Sequence, residues 1–393
     1  MRKFLILVMV LFPVLLVQGQ QRLLSIMDQR DLTLEQQVDS VIVEFGLDVK
    51  EQELSRLLGM LGKIGGKTRC VAVSYRTEDP KGREVEASGL IVYPLRPVLR
   101  GVVEMCPYNR EKHLCGTARM YTTEALAATL GYVVLIPDNL GYGKTSDLTI
   151  PYQMSENSAR VSADLRLAAA EYFEQTLHRK LPSKTILYGY SLGAPAALAL
   201  AYLYTSQPEY GARVKTLCMG SGCYDPLLAY EKTLESGHIN YLIYPSFVRS
   251  ANAWQDACLD VANLFVGRVL EDFERISNGL ENARRLVEEY GSDIHAYLHP
   301  DCFTPEGNPD VSRLREALSA LIIPREEKKP LPSSVKVVIR HSAADDIVPV
   351  ACSDRLYRQI SQGFRPVRYF RDKNGTHYET AVRSFRDLAF LLL

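Results

Sequence analysis

The sequence has no excess of either charge. Lysine and arginine together number 46, and aspartate and glutamate together also number 46, so the formal net charge is zero. A chain that binds nucleic acid usually carries a basic surface, and an acidic tail would produce a negative excess. We therefore expect no nucleic-acid partner. Nothing in the sequence indicates an oligomeric state.

Apolar runs long enough to span a membrane are also missing. Arg2 and Lys3 precede an uncharged run over residues 4–17, and small or medium residues follow at 17–19. This run is shorter than the roughly 20 residues that a transmembrane helix needs. The pattern predicts a secretory signal peptide over residues 1–19, cleaved near Gly19, and a mature chain that is secreted or periplasmic. No stable membrane span is predicted.

Cysteine is sparse, with 8 among 393 residues, which is too few for a disulfide scaffold. A core of this size does not need disulfides, so free buried thiols are an alternative to them. Eight cysteines can pair in about 105 ways, and the sequence does not choose among these. The pairs closest in sequence, Cys106 with Cys115 and Cys218 with Cys223, are the first candidates.

Strand and helix patterns alternate through most of the chain. Apolar runs predict strands at 71–75, 89–93, 101–105, 132–136, 184–190, 214–219, 335–339 and 367–370. Helical spacing of apolar residues predicts helices at 158–177, 194–204 and 380–392. This alternation is typical of an α/β protein with a mostly parallel central sheet and helices on both faces.

Two segments depart from the alternation, because residues 31–65 and 224–330 show helical spacing and no strand pattern. The repeated apolar positions are Leu34, Val38, Val41 and Ile42 in the first segment, and Trp254, Cys258, Val261, Phe265, Leu286, Tyr290 and Ile294 in the second. A helical insertion of about 100 residues within a sheet is too long for a linker and indicates a cap. The predicted organisation is a signal peptide (1–19), an N-terminal helical segment (20–66), the first part of an α/β core (67–223), a helical cap (224–330) and the second part of the core (331–393).

Residues 189–193 read Gly-Tyr-Ser-Leu-Gly, the pattern of a nucleophile elbow. An apolar strand directly precedes the pattern and an alanine-rich helix directly follows it. The elbow holds its serine in a strained backbone conformation, and the glycines let neighbouring elements approach closely. A glycine-rich turn whose serine only caps the helix is the alternative. The context favours Ser191 as a nucleophile.

A serine hydroxyl needs a base within hydrogen-bond reach. After an elbow of this kind, the acid and then the histidine follow along the chain. Asp345 and Asp346 come just after the strand predicted at 335–339, where open α/β sheets place their ligand crevice. His377 is the only histidine beyond them, and it also follows a predicted strand. These residues are the candidate acid and base.

The chain resembles the α/β-hydrolase superfamily, and in particular the secretory lipases and related bacterial secreted esterases. Residues 137–143, Pro-Asp-Asn-Leu-Gly-Tyr-Gly, are similar to a loop of that family, and Ser158-Ala159 with Asp164 resemble the segment after it. The family's Asp-x-x-Val-Pro pattern implies that Asp345 is the acid. The resemblance runs from about residue 70 to 390 and is weakest in the cap.

This resemblance implies the α/β-hydrolase fold with an inserted helical cap, and hydrolysis of small-molecule carboxylic esters. The implied mechanism proceeds through an acyl-enzyme and uses a triad of Ser191, His377 and Asp345. It requires neither a cofactor nor a metal ion.

The sequence departs from the family after the third predicted core strand, where relatives carry a His-Gly pair that contributes to the oxyanion hole. This chain has Pro107-Tyr108-Asn109 there. Proline has no N–H to donate. We therefore expect the backbone N–H of Tyr108 or Asn109 to act with that of Leu192. The Tyr108 side chain is also placed to narrow the acyl pocket.

Three other interpretations account for parts of the sequence. The same triad cleaves amides in related serine peptidases, but these often add a β-propeller or amine-binding residues that this sequence lacks. A non-catalytic binding protein of the same fold usually loses a triad member, and all three are present here. His295 and His299, with Asp301 and Cys302 nearby, have the spacing of metal ligands. Without a further motif, a solvated cap helix is favoured and no metal site is predicted.

Overall fold

A nine-stranded mixed sheet forms the centre of the computed structural model, which describes residues 21–37, 66–120, 122–325, 330–361 and 367–393. The strands are β1 (Leu23–Leu32), β2 (Thr68–Glu78), β3 (Glu84–Pro94), β4 (Val102–Cys106), β5 (Val133–Pro137), β6 (Lys184–Tyr190), β7 (Arg213–Gly220), β8 (Lys336–Ser342) and β9 (Val367–Asp372). Their order across the sheet is β1-β2-β3-β5-β4-β6-β7-β8-β9. The pairs from β1 to β5 are antiparallel, and those from β5 through β4 to β9 are parallel.

Eleven helices have both ends among the described residues. They are α1 (Gly116–Arg119), α2 (Ser155–Leu177), α3 (Gly193–Ser206), α4 (Pro226–Ser236), α5 (Tyr244–Trp254), α6 (Gly267–Glu271), α7 (Phe273–Ile276), α8 (Ala283–Tyr290), α9 (Pro309–Ser319), α10 (Ala351–Ile360) and α11 (His377–Leu392). Short 3₁₀ turns join several of them.

Both faces of the sheet are covered, because alternate residues of a strand point to opposite sides. On β6, Leu187 packs into a buried cluster with the alanine-rich helix α3. Its neighbours Ile186 and Tyr188 pack into a second cluster with Leu388 and Leu392 of α11. The predicted α/β architecture, a mostly parallel sheet with helices on both faces, is therefore confirmed.

The N-terminal prediction needs a correction. Residues 20–66 were expected to be helical, but residues 23–32 form strand β1, which pairs antiparallel with β2 at the sheet edge. The backbone N–H groups of Arg22 and Leu23 donate to Glu171 of α2 at 2.9 and 2.7 Å, which ties the start of β1 to the core. Residues 34–37 are helical. The expected signal peptide and the rest of the helical segment lie outside the described residues.

Between β7 and β8, the described residues 224–325, here called the insertion, contain α4–α9 and connecting turns. Asp225, Asn282 and Asn308 cap α4, α8 and α9 by accepting backbone N–H groups. The insertion has its own cluster of buried apolar side chains, in which the rings of Phe265 and Phe273 are 5.7 Å apart.

The helical register expected inside the insertion is wrong in detail. The spacing from Trp254 to Phe265 does not belong to one helix, because α5 ends at Trp254 and residues 261–263 form a 3₁₀ turn. Similarly, α8 ends before Gly291, so Ile294 lies in a later turn. Among the residues that the structure describes, no helix is long and apolar enough to cross a membrane.

Candidate active site

Ser191 occupies a sharp turn between β6 and α3. Its φ angle is +53°, in the left-handed region that residues other than glycine rarely adopt. A side chain at Gly189 would collide with the carbonyl oxygen of Gly193, and one at Gly193 would collide with that of Cys106. The Ser191 N–H donates to Gly220 O at 2.9 Å, which anchors the turn to the end of β7. The two glycines therefore permit a turn that presents the serine.

His377 begins helix α11, and its imidazole is held by Asp345. Nδ1 of His377 lies 3.0 and 2.9 Å from the two carboxylate oxygens of Asp345. The carboxylate also accepts the N–H groups of Ile347 and Val348 at 3.0 and 2.9 Å. Both side chains are buried. With Nδ1 donating to a carboxylate, Nε2 is the ring nitrogen left to act as a base.

Asp346 holds the backbone of the same histidine. Its Oδ1 accepts the N–H of His377 at 2.8 Å. Thr376 and Glu379 form a capping box at the start of α11, which fixes the position of His377 on its helix. The two neighbouring aspartates therefore have different contacts, Asp345 with the imidazole and Asp346 with the peptide group.

Tyr190 links the histidine to the serine turn. Its hydroxyl donates to the carbonyl oxygen of His377, and the two rings are 5.0 Å apart. Ser191 and His377 both line one cavity. The structure thus brings Ser191, His377 and Asp345 together from three separate strand ends.

A second buried histidine lies behind the acid, and sequence reasoning missed it. His341, at the end of β8, has Nε2 3.0 Å from Val348 O and 3.3 Å from Oδ2 of Asp345. Its Nδ1 is 2.7 Å from the hydroxyl of Ser353. The signal in the sequence was a histidine four residues before the acid, at the end of an apolar strand, where a buried imidazole needs partners.

The hydrogen bonds around Asp345 decide its ionisation. Burial raises the pKa of this carboxyl, but hydrogen bonds from His341 and His377 outweigh burial and hold the pKa well below its usual range. Asp345 is therefore a carboxylate at all pH values at which the protein is expected to work. An anion in this position can orient an imidazole and stabilise its protonated form.

The loop after β4 approaches the serine turn from another side. Tyr108, Asn109 and Leu192 all line the cavity. The Asn109 amide donates to Tyr241 Oη at 2.7 Å, and Asn109 Oδ1 accepts from Tyr142 Oη at 3.4 Å. Tyr142 belongs to the loop that resembles the family pattern, so this loop and the insertion together hold Asn109.

The cavity has a volume of about 830 Å³, within the range of small-molecule binding sites. Core and insertion both contribute to its walls. Its aromatic side chains are Tyr108, Tyr152, Tyr190, Tyr230, Tyr241, Tyr244, Phe247, Tyr378 and Phe385. Four charged residues also line it, Arg110, Glu111, Arg119 and Glu379, so the lining is mostly apolar and aromatic but not free of charge.

Other aromatic residues of the insertion are not part of these walls. Phe265 and Phe273 pack in the core of the insertion, and Trp254 donates its indole N–H to Thr149 O at 3.1 Å. These three aromatic side chains therefore stabilise the insertion and do not line the cavity.

The residues whose sequence spacing resembles that of metal ligands make other contacts in the structure. His295 lies in a 3₁₀ turn, contacts Asp293 at 2.9 Å and stacks on Phe303. His299 Nδ1 accepts the N–H of Asp301, and the thiol of Cys302 is buried against Leu264 O. Within the described ranges, no group of three or more histidine, cysteine or acidic residues is arranged to hold a metal ion.

No family model matches this chain, and no curated protein matches it. Solved structures do match. A Legionella pneumophila protein, provisionally described as a hydrolase, is 16% identical with a TM-score of 0.72, covering 95% of this chain and 97% of that one. LipA of Xanthomonas oryzae, a rice cell wall degrading esterase, is 17% identical with a TM-score of 0.71, covering 94% and 96%.

Candida antarctica lipase A is 14% identical with a TM-score of 0.57, covering 90% of this chain and 77% of that one. At these identities the likeness shows the fold alone. The chain therefore has the α/β-hydrolase fold, and the resemblance found in the sequence is confirmed at that level.

Proposed function

We propose that this protein is an exported serine hydrolase that cleaves small-molecule carboxylic esters with Ser191 as nucleophile, His377 as base and Asp345 as the orienting acid. One observation carries the proposal. A serine in a left-handed turn shares a cavity with a histidine whose Nδ1 is bonded to a buried carboxylate. This is the arrangement that activates a hydroxyl for attack on a carbonyl.

In the proposed reaction, Nε2 of His377 takes the proton of Ser191 as Oγ attacks the ester carbonyl. The histidine then protonates the leaving alcohol, and an acyl-enzyme forms on Ser191. Water, activated by His377, releases the acid and restores the serine. Asp345 keeps the imidazole in the required tautomer and stabilises the imidazolium in both steps.

The oxyanion of each tetrahedral intermediate needs two N–H donors. We assign them to Leu192 and to Tyr108 or Asn109. The close approach of Gly193 to the carbonyl of Cys106 supports this assignment, because it brings the loop after β4 against the serine turn. The contacts of Asn109 with Tyr241 and Tyr142 support a fixed loop at this place.

We further propose that the insertion acts as a lid that shapes the acyl site. Tyr241, Tyr244 and Phe247 of the insertion line the cavity beside Ser191. The aromatic rings of these residues favour a substrate ester whose acyl or alcohol part is apolar or aromatic. The esterase and the lipase that share the fold support an ester rather than an amide as substrate.

Export is part of the same proposal and depends on residues 1–19, where two basic residues precede an uncharged apolar run. The full-length gene product, expressed in a secreting host, should lose this segment. The N-terminus of the exported protein, determined by mass, would then lie close to residue 20. A protein that stays in the cytoplasm with residues 1–19 attached would contradict export without affecting the catalytic proposal.

A covalent probe tests the catalytic proposal. A fluorophosphonate should label the purified protein once, and Ser191→Ala should lose both labelling and at least about 10³-fold in ester turnover. Ser221→Ala is the matched control, because Ser221 also has a positive φ at a strand end but is fully buried. This control should label like the wild type. Labelling that persists in Ser191→Ala would contradict the proposal.

A further inference from the structure

Cys223 and Cys352 come from distant parts of the chain and meet beside the active-site cavity. Cys223 follows β7 and lines the cavity, and Cys352 lies in the first turn of α10. Together with Val348 they form a small buried cluster, in which Cys352 is fully buried and Cys223 is 8% exposed. Val348 donates its N–H to Asp345, so the cluster adjoins the loop of residues 343–350 between β8 and α10, here called the acid loop.

The contacts of Cys352 and its helix join them to the segment that carries Cys223. The thiol of Cys352 lies 3.6 Å from the carbonyl oxygen of Asp225, which is two residues from Cys223. The Cys223 and Cys352 side chains are neighbours in the same buried cluster. Arg355 of α10 forms an ion pair with Asp225, and this contact holds α10 against the start of α4.

Neither of the two pairings suggested by the sequence, Cys106 with Cys115 and Cys218 with Cys223, has such support. Cys218 lies on β7 in the cluster that packs under α11, whereas Cys223 lies in the cluster with Cys352. The thiol of Cys115 is 3.8 Å from the hydroxyl of Thr117. Cys258 is exposed, and the remaining seven cysteines are buried.

We propose that Cys223 and Cys352 form a disulfide that ties the cavity wall after β7 to the helix that follows the acid loop. In the reaction both S–H bonds break and one S–S bond forms. The two electrons and two protons pass to a small-molecule disulfide such as oxidised glutathione, which is reduced to two thiols. The bond does not depend on hydrolytic activity.

The bridge would restrain the parts of the chain that present the acid. It closes a loop of about 130 residues that includes the whole insertion and Asp345. Such a closure removes conformational freedom from the unfolded chain and stabilises the folded one. An exported protein meets the oxidising conditions under which disulfides persist.

The conditions of the test follow from the surroundings of the thiols. The hydrogen bond with Cys352, together with burial, raises the pKa of the Cys223 thiol well above its usual value. The attacking species in thiol exchange is the thiolate, so exchange in the folded protein is slow. Oxidant should therefore be present while the chain folds.

The experiment uses the mature chain with Cys258→Ser, which removes the exposed thiol. The protein is refolded in a glutathione redox buffer and digested without reduction. Peptide mass spectrometry should find residues 223 and 352 linked, with a mass about 2 Da below that of the two thiol peptides. The melting temperature should fall by several degrees when the protein is reduced.

Variants separate the bridge from a general effect of cysteine loss. Cys352→Ser and Cys223→Ser should each lose the linked peptide and melt like the reduced protein. Cys218→Ser, the matched control, should keep both the link and its sensitivity to reduction. Free alkylation of both residues after unfolding, or a link from Cys223 to another cysteine, would overturn the proposal.

Discussion

Nε2 of His341 lies 3.3 Å from Oδ2 of Asp345, and both side chains are fully buried. The same oxygen lies 2.9 Å from Nδ1 of His377, so one buried carboxylate serves two imidazoles. A buried anion without water is costly unless donors surround it. The contacts of His341 with Val348 and Ser353 show how the first of these imidazoles is itself held. Asp345 is thus held by His341 in addition to its hydrogen bond with His377.

Replacing each aspartate in turn should distinguish the role of Asp345 from that of its neighbour Asp346. Asp345→Asn should lower kcat by about 10³–10⁴-fold, because an amide N–H facing Nδ1 would hold the wrong tautomer. Asp346→Asn should cost far less, since the amide oxygen can still accept the N–H of His377. Ester kinetics on both purified variants measure this. Reversed costs would mean that Asp346 is the acid.

His341 should affect the pH profile through Asp345. A hydrogen bond from His341 helps to lower the pKa of Asp345, so His341→Phe should make this carboxylate more basic. A more basic carboxylate stabilises a protonated imidazole partner. At acid pH, kcat/KM rises as the catalytic imidazole loses its proton, and this part of the profile is the acid limb. The acid limb should then move to higher pH by about half a unit to one unit, a shift measured with a soluble ester.

The conservative variant distinguishes this role from a purely structural one. In His341→Gln an amide N–H can still donate to Asp345, so the profile should stay near that of the wild type. Loss of folded protein alone would lower activity without moving the limb. If folded His341→Phe keeps the acid limb of the wild type, His341 has only a packing role and does not act through Asp345.

The chemistry of the site was predictable where the backbone admits few residue types. Gly189 and Gly193 stand where any side chain would collide, so the elbow is visible in the sequence itself. The order of Asp345 and His377 after it follows from the order of strands in the sheet. These features are local, or depend only on which strand end a residue follows.

The remaining features depend on contacts between distant segments. β1 is almost wholly exposed, so it lacks the alternation that reveals a strand. Apolar spacing from Trp254 to Phe265 continues across the end of a helix. Cys223 shares a buried cluster with Cys352, about 130 residues away, and not with Cys218, its neighbour in sequence. Sequence periodicity carries no information about such contacts.

A buried acid that does not line the cavity, Asp164, should make stability depend on pH. Burial raises the pKa of Asp164 to about 6, although Arg22 and a hydrogen bond from Thr77 oppose this. Unfolded aspartate titrates near 4. Between these values the folded state keeps a proton that the unfolded state has lost, so this group lowers stability as pH rises from about 4 to 6.

Asp164→Asn removes this penalty, because the amide carries no charge to bury. Its melting temperature relative to the wild type should therefore increase by a few degrees between pH 4 and 7, measured by thermal unfolding. Asp310→Asn is a control of opposite sign. Hydrogen bonds from Asn263 and Arg313 outweigh burial and lower the pKa of Asp310, so this variant should lose relative stability as pH rises. A constant difference for Asp164→Asn would refute the assignment.

The cavity should limit the length of the acyl group. Ala229 of α4 is a small residue on its wall, and Ala229→Leu would fill part of this space. We expect kcat/KM to fall about tenfold or more on the longest ester accepted, and much less on an acetate ester. Ala262→Leu, at an exposed position of the insertion, should leave both values unchanged. Equal losses on all esters would place Ala229 outside the acyl site.

The outer surface of the insertion argues against activation at an oil interface. Among the large apolar side chains of the described insertion, only Leu280 is exposed, by 53%. A lid that opens on lipid presents a contiguous apolar patch to the surface. We therefore expect higher kcat/KM on soluble short-to-medium esters than on emulsified triolein. Rates measured as triolein passes its solubility limit should show no jump, and a sharp rise there would make the protein a lipase.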